Sequence, residues 1–462
     1  MVMKQAEINA VLQYSLELGA EFAELFLEDR DEFNISYKES SVGNIAKARR
    51  KGAGLYLISG TECVYVYTNS LSHTEMMKLA RIGAAMLKEK KQGRFTAPKT
   101  ASIGISNPCE AKVLPSSVER AKKLKVLENA DKAMRSSCKY LRSLDLTYFD
   151  VDQRVRIANT EGVLAEDRRV VSRIRQMPKL EAGDKSAGHF TDFTRPMGFE
   201  AFSDESYIDR MTADLKSMEE TMFAEVAPVG RMPVIFAAGG SSGTFFHEAC
   251  GHGLEVTNLQ IDPTYAGKMG QQIASDKVTV IDDGTLPQMY GSSIYDDEGM
   301  LRQKNVLIEN GILKSYLVDR IGSIRTGFAR TGSGRRQDYT YAPVARMSNT
   351  YLACGKDDEE DMIRSVPYGL FVEELGGGTA GEEFSLGAQR AYLIKNGKLD
   401  RLVKGAILTG RAKDAMMNID RVGKKMVYED GGAFCGAASG LVNTTTSGAQ
   451  MRIKEMMVGG EK

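Results

Sequence analysis

The chain alternates between two hydrophobic rhythms, and the changes from one to the other divide it. Residues 5 to 19 and 72 to 90 carry apolar positions at helical spacing, which predicts two amphipathic helices. Between them "EFAELFLED", "NISYKES", "GAGLYLISG" and "CVYVYTN" read as four strands. Helices enclosing strands predict a first α+β domain over residues 1–100.

The stretch "TAPKTASIGISNPCEAKVLP", residues 96 to 115, is rich in Pro, Ser and Thr and has little period, so it reads as a linker. Helical periodicity resumes from about Val118 to Leu141. Two alternating runs follow, "TYFDVDQRVRIAN" and "VLAEDRRVVSRIRQ", which predict a strongly twisted antiparallel hairpin, and then a helix from Tyr207 to about Phe223. These elements make a middle domain over residues 115–225. "APVGRMP", Ala227 to Pro233, marks the next boundary, and residues 228–462 form a third domain.

There short apolar runs are punctuated by many of the chain's 46 glycines. "NVLIENGILKSYLV" and "AYLIKNGKLDRLVKG" each place Asn-Gly between apolar runs, the two-residue turn whose central positions both need positive φ. Both are expected to be hairpins of one large antiparallel sheet or barrel. "PVIFAAGG" reads as a strand leading into a helix, "TFFHEACGHGLEV", with Ser241 or Ser242 as N-cap. The expected class is therefore α+β: N-terminal α/β segments, then a large Gly-rich, mainly antiparallel β domain carrying that helix.

Composition narrows the setting. With 462 residues, 42% hydrophobic and 26% charged, the chain is long enough for two or three cores. Basic and acidic residues balance at 61 each, so no global field draws it to nucleic acid or an anionic membrane. Basic runs such as "KARRKG" and the lysines of Lys88 to Lys91 read as solvated surface. The first twenty residues are interrupted by Lys4, Glu7 and Glu17, unlike a signal peptide, and no window reaches 18 uninterrupted apolar residues. Six scattered cysteines without a CxxC pair form no disulfide framework. A cytoplasmic protein is expected.

The chemistry concentrates in "GTFFHEACGH". Two of only four histidines, His247 and His252, flank Glu248 within one short helix. Two neutral imidazoles suit zinc, and a glutamate one residue after the first can take the proton of an activated water. The spacing is unusual. In a regular helix, residues five apart point about 140° away from each other, whereas those four apart are separated by about 40°. A distorted turn is therefore required, either a π-bulge or a loosening at Gly251. Catalytic zinc normally takes three protein ligands, and Glu255 in "HGLE" or a distant residue are both candidates for the third.

"HEACGHGLE", "YDDEG", "LIENGILKSYLVDR", "TGSGRR", "RMSNTYL" and "GGAFCG" occur in order from about Gly230 onward, and together they resemble the TldD/PmbA family. The HExxxH stretch is similar to that of the TldD side, which the PmbA/TldE-like partners lack. The resemblance implies a zinc metallopeptidase whose third ligand is Cys435; Cys250 lies inside the motif but would point elsewhere on the helix and reads as packing. Gly431, Gly432 and Gly436 would let the backbone of that cysteine approach closely. After Cys435 the sequence "CGAASGLVNTTTSGAQMRI" departs from the family pattern, which bears on subsites and not on the ligand.

The mechanism implied is hydrolysis of a peptide bond, with zinc on His247, His252 and Cys435 and with Glu248 as general base returning its proton to the leaving amine. Arg336, Arg346 or Tyr341 are candidates for the oxyanion partner. The resemblance further implies peptide or unfolded polypeptide substrates and a TldE/PmbA-like partner subunit or a homodimer. Two other classes are kept beside it: a non-catalytic peptide-binding or assembly subunit, and a nucleic-acid-associated modulator of DNA gyrase, a label the family carries. "DDEG", Asp296 to Gly299, is expected to be a turn and not a second cation site. "ELGGGTAGEEFS", Glu374 to Ser385, is expected to be a flexible or substrate-lining loop.

Overall fold

The computed structural model describes residues 3–100, 106–256, 264–379 and 381–460. Helix Gln5–Glu17 buries Ile8, Val11, Leu12 and Leu16, a single helical face. With helix His73–Met86 it covers Leu25, Leu27, Leu55 and Leu57 of the first sheet.

That sheet is more continuous than the sequence suggests. The runs "EFAELFLED" and "NISYKES" belong to one strand, Phe22–Lys38, and "GAGLYLISG" is the second half of Ser41–Ser59. The polar middle that separates the predicted strands is held in the sheet by cross-strand ion pairs. Asp29 takes both Nε and Nη2 of Arg49 at 2.8 and 2.7 Å, and Glu32 takes Arg50 at 3.3 Å. The basic run at Lys47 to Lys51 is thus a solvent-facing part of a strand, as expected of solvated surface.

Strand Phe22–Lys38 pairs on its other side with Leu141–Asn159, which pairs in turn with Glu161–Ala182. The expected twisted hairpin is these last two strands. Helices Arg120–Ser137 and Ser206–Phe223 pack on this end of the same sheet through Leu127, Met134, Tyr148, Ile174, Phe202 and Leu215. The assigned linker begins as structure, because Thr96–Thr100 adds a parallel strand beside Glu161–Leu164; residues 101–105 lie outside the described residues.

The C-terminal part is one 13-stranded sheet, mostly antiparallel, with three parallel pairings. Its hub is the long strand Gly440–Gly460, which pairs with Gly230–Phe236, Asn349–Leu352, Ala406–Arg411, Ile419–Val427 and Ala433–Ala437. Both Asn-Gly turns have positive φ at both positions, 49° and 82° at Asn310-Gly311 and 52° and 72° at Asn396-Gly397, and both hairpins join this sheet. The stretch expected to be a loop is instead mostly strand. Tyr368–Thr379 and Glu383–Lys395 stay paired as far as Gly378 with Leu386 and Thr379 with Ser385, because glycines there permit bulges where the registers shift.

"DDEG" is a turn, and a buried one. Asp296 accepts from the N–H groups of Glu298 and Met300 at 3.0 and 2.9 Å. Asp297 meets Arg169 at 2.6 Å, and Glu298 meets Arg330 at 3.1 Å. Asp297 thereby joins the N-terminal sheet to the C-terminal domain, as does Glu24 with Arg336 at 2.9 Å, both side chains wholly buried. Among the described residues no helix is long and apolar enough to cross a membrane.

Candidate metal centre

Strand Gly230–Phe236 delivers the chain to Gly239, whose φ of 100° turns it into helix Gly240–Phe246. Neither serine caps this helix. Ser241 donates to the carbonyl of Val372 at 2.9 Å and Ser242 to that of Gly239 at 3.3 Å, while Glu429 accepts from the N–H of Gly240 at 3.1 Å. Both hydroxyls lie past the cap position and turn to neighbouring carbonyls, and a carboxylate from a distant strand end does the capping.

From His247 the helix widens. His247–Gly251 is a π turn, followed by the tighter turn His252–Leu254. A π turn makes residue i+5 the neighbour of i, so the two imidazoles meet with ring centroids 4.9 Å apart. Gly251 is required by a close crossing, since a Cβ there would lie 2.1 Å from the sulfur of Met347.

Cys435 reaches the same point from strand Ala433–Ala437, opposite Val442. Of the three glycines expected to admit this backbone, Gly432 carries the close approach: a Cβ there would lie 2.4 Å from the Tyr290 ring. A Cβ on Gly436 would meet only Leu441, at 3.3 Å, and one on Gly431 nothing within 4 Å.

Nε2 of His247 lies 3.2 Å from Sγ of Cys435, and Nε2 of His252 lies 3.3 Å from it. The three donor atoms all fall within 4.8 Å of one another, a constellation able to hold a metal ion. Tetrahedral zinc with ordinary Zn–N and Zn–S bonds separates N from S by about 3.6 Å, so the donor set fits the ion with small adjustment.

The two histidines differ electrically. His247 is buried, its Nδ1 has no partner, and desolvation first, then His252 and Arg346, pull its pKa down to about 3. It is a neutral lone-pair donor. Burial alone would also depress His252, but the Cys435 sulfur and the Glu255 carboxylate overrule it and push that ring up to about 10. Glu248 lies between them in the sequence, half-buried and with no hydrogen bond to its carboxylate among the described residues; burial raises its pKa.

Glu255 supports the cluster and does not join it. Its Oε2 faces Nδ1 of His252 at 3.2 Å, and its Oε1 accepts from Arg346 Nε at 3.2 Å and the Met347 N–H at 3.0 Å. Such a carboxylate fixes ring orientation and tautomer. The signal was present as an acid three residues after His252.

Arg346, one of the three oxyanion candidates, is fully buried and points Nη2 at the Cys435 sulfur, 2.9 Å away. It clamps Cys435 to Glu255. Arg336 is committed to Glu24, Tyr65 and the carbonyl of Asp297. Tyr341 hydrogen-bonds to none of the cluster residues. Cys250 is fully buried, donates to the Phe246 carbonyl at 3.3 Å, and stands outside the cluster.

Comparison with known proteins agrees across the chain. Family models described as PmbA/TldA metallopeptidase domain 1, central domain and C-terminal domain match residues 23–87, 114–225 and 229–460. A Haemophilus influenzae protein named Metalloprotease TldD homolog is 31% identical over 423 residues, covering 89% of this chain and 87% of that one. A Saccharolobus solfataricus protein named Zinc metalloprotease TldD homolog is 25% identical over 329 residues, covering 69% and 72%. The crystal structure of TldE from Thermococcus kodakarensis shares the fold, with a TM-score of 0.73 at 16% identity over 98% of this chain and 100% of that one. The chain belongs to the PmbA/TldA, or TldD/PmbA, family of metallopeptidases.

Proposed function

We propose that this metallopeptidase uses zinc held by His247, His252 and Cys435, with Glu248 as the general base. The observation that carries the reading is the convergence of three donor atoms from two distant segments on one point beside Glu248. When bound, zinc supplies Lewis acidity to a scissile carbonyl and lowers the pKa of a water. Glu248 takes the proton of that water and returns it to the leaving amine, and its raised pKa brings it closer to the range in which one group can do both. Glu255 holds the His252 ring, and Arg346 holds the sulfur of Cys435 in reach of both imidazoles.

The substrates are peptides or unfolded polypeptides. The glycine-rich strands of the C-terminal sheet suit an extended chain that binds by main-chain hydrogen bonds. The protein acts in the cytoplasm, in a dimer with a TldE-like partner or a second copy of itself. Hydrolysis of a mixed unstructured peptide library by the zinc-loaded chain tests this, with Glu248→Gln as control. Cleavage that disappears in the variant while zinc remains supports the assignment; equal cleavage by both removes Glu248 from the mechanism.

A further inference from the structure

A cavity of about 230 Å³ lies between the N-terminal sheet and the hairpin that bears Cys435. Phe149 and Val151 line it from the sheet, and Phe434 and Leu441 line it from the hairpin. Its size suits one end or one side chain of a peptide and not a folded segment. Six arginines border it: Arg30, Arg50, Arg168, Arg169, Arg335 and Arg336.

Five of the six have a carboxylate partner. Arg30 and Arg50 share Glu32 at 2.7 and 3.3 Å. Arg168 is paired with Asp152 at 2.6 Å, Arg169 with Asp297 at 2.6 Å, and Arg336 with Glu24 at 2.9 Å. Arg335 has no carboxylate within ion-pair distance among the described residues. Its one hydrogen bond runs from Nη1 to the carbonyl of Met347 at 2.6 Å, which spends one donor of five.

An unpaired guanidinium in such a place is costly, because burial disfavours its charge. Desolvation, followed by repulsion from Arg302, pulls Arg335 down to about 9, so it stays charged at neutral pH. Its position also ties it to the chemistry. Met347, whose carbonyl it holds, follows Arg346, and Arg346 touches the Cys435 sulfur. Phe434 and Leu441 of the cavity wall flank the strand pair Cys435 and Val442.

We propose that Arg335 is a specificity determinant that receives a carboxylate of the peptide substrate in this cavity. The inference rests on the peptidase reading for the identity of the ligand. A guanidinium fork matches a carboxylate with two parallel hydrogen bonds, and the apolar walls accommodate the carbon skeleton next to it. The carboxylate has two sources, the C-terminus of the peptide or an Asp or Glu side chain.

Binding separates this inference from the catalytic assignment. Zinc-loaded Glu248→Gln protein is titrated with four forms of one fluorescein-labelled unstructured hexapeptide: free acid or C-terminal amide, each with either a single Glu as the only ionisable residue or the neutral Gln in its place. The expected result is at least a tenfold weakening when the relevant carboxylate is neutralised. Loss on amidation identifies the terminus, and loss on Glu→Gln identifies the side chain. In Arg335→Met the forms should converge to within twofold, and Arg335→Lys should restore part of the preference. Zinc content and circular dichroism of both variants report folding. Equal binding of all four peptides, no binding of any, or a preference that survives in folded Arg335→Met overturns the proposal. Carboxylate-selective binding without any hydrolysis by wild type would leave the pocket standing and remove the peptidase reading.

Discussion

Two buried clusters of ionisable side chains lie in the C-terminal domain, and they are built on opposite principles. Around Asp296, Asp297 and Glu298 the acids are met by Arg169, Arg330 and Arg336 and by backbone N–H groups, and Glu24 of the first sheet closes the set. Each acid has at least one donor inside the set. Around His247, His252 and Cys435, three lone-pair donors converge on one another, and the acid and guanidinium beside them, Glu255 and Arg346, hold them from behind. Charge that is spent internally joins domains; lone-pair donors that converge on one point are available for chemistry.

Mutations should separate the two. Glu248→Gln should lower peptide hydrolysis by about 10²–10⁴-fold, the range for removing a general acid–base group, with unchanged zinc content and unfolding midpoint. Comparable activity in the variant would place the base elsewhere. Arg336→Met strands Glu24 and should cost about 3–5 kcal/mol of stability in urea unfolding, because breaking a buried pair leaves an uncompensated charge. The folded fraction should keep its zinc; loss of zinc at native signal would mean that the two clusters are coupled.

Glu255→Gln should weaken zinc by about 10–100-fold in chelator competition, the usual cost of losing a partner that orients a ligand. An unchanged affinity would reduce Glu255 to packing. The smallest effect concerns pH. Burial raises Glu24 from 4.5 to about 7 against the opposing pull of Arg336. Between those values the folded state binds the extra proton, so this group's contribution to stability is full below the lower one and is lost as pH rises through the higher. Wild type should therefore lose on the order of 1–3 kcal/mol more than Glu24→Gln between pH 4.5 and pH 8. Parallel pH profiles for the two would contradict that shift.

The sequence carried the centre further than it carried the frame. Five-residue spacing around Glu248 demands a distorted turn, a π-bulge or a loosening at Gly251, and the chain has a π turn at His247–Gly251. The Asn-Gly turns were legible because positive φ at both positions leaves few alternatives. Cys435 was not legible from spacing, since it lies 188 residues from His247; only resemblance to a family separated it from five other cysteines. The long strands of the first sheet were hidden because charged residues at Asp29 to Glu32 look like a break until the partners on the neighbouring strand are known. The glycines of Glu374 to Ser385 look like a loop for a similar reason, since bulged pairing depends on the partner strand. The buried role of "DDEG" depends on arginines from three other segments.

The most direct measurement is elemental analysis of purified wild type and Cys435→Ser beside hydrolysis of a mixed unstructured peptide library by both. Zinc near one per chain in wild type, lost together with hydrolysis in a folded Cys435→Ser, is the predicted result. Full zinc and full activity in Cys435→Ser, or a wild type that takes up no zinc on addition and cuts nothing, would contradict the site.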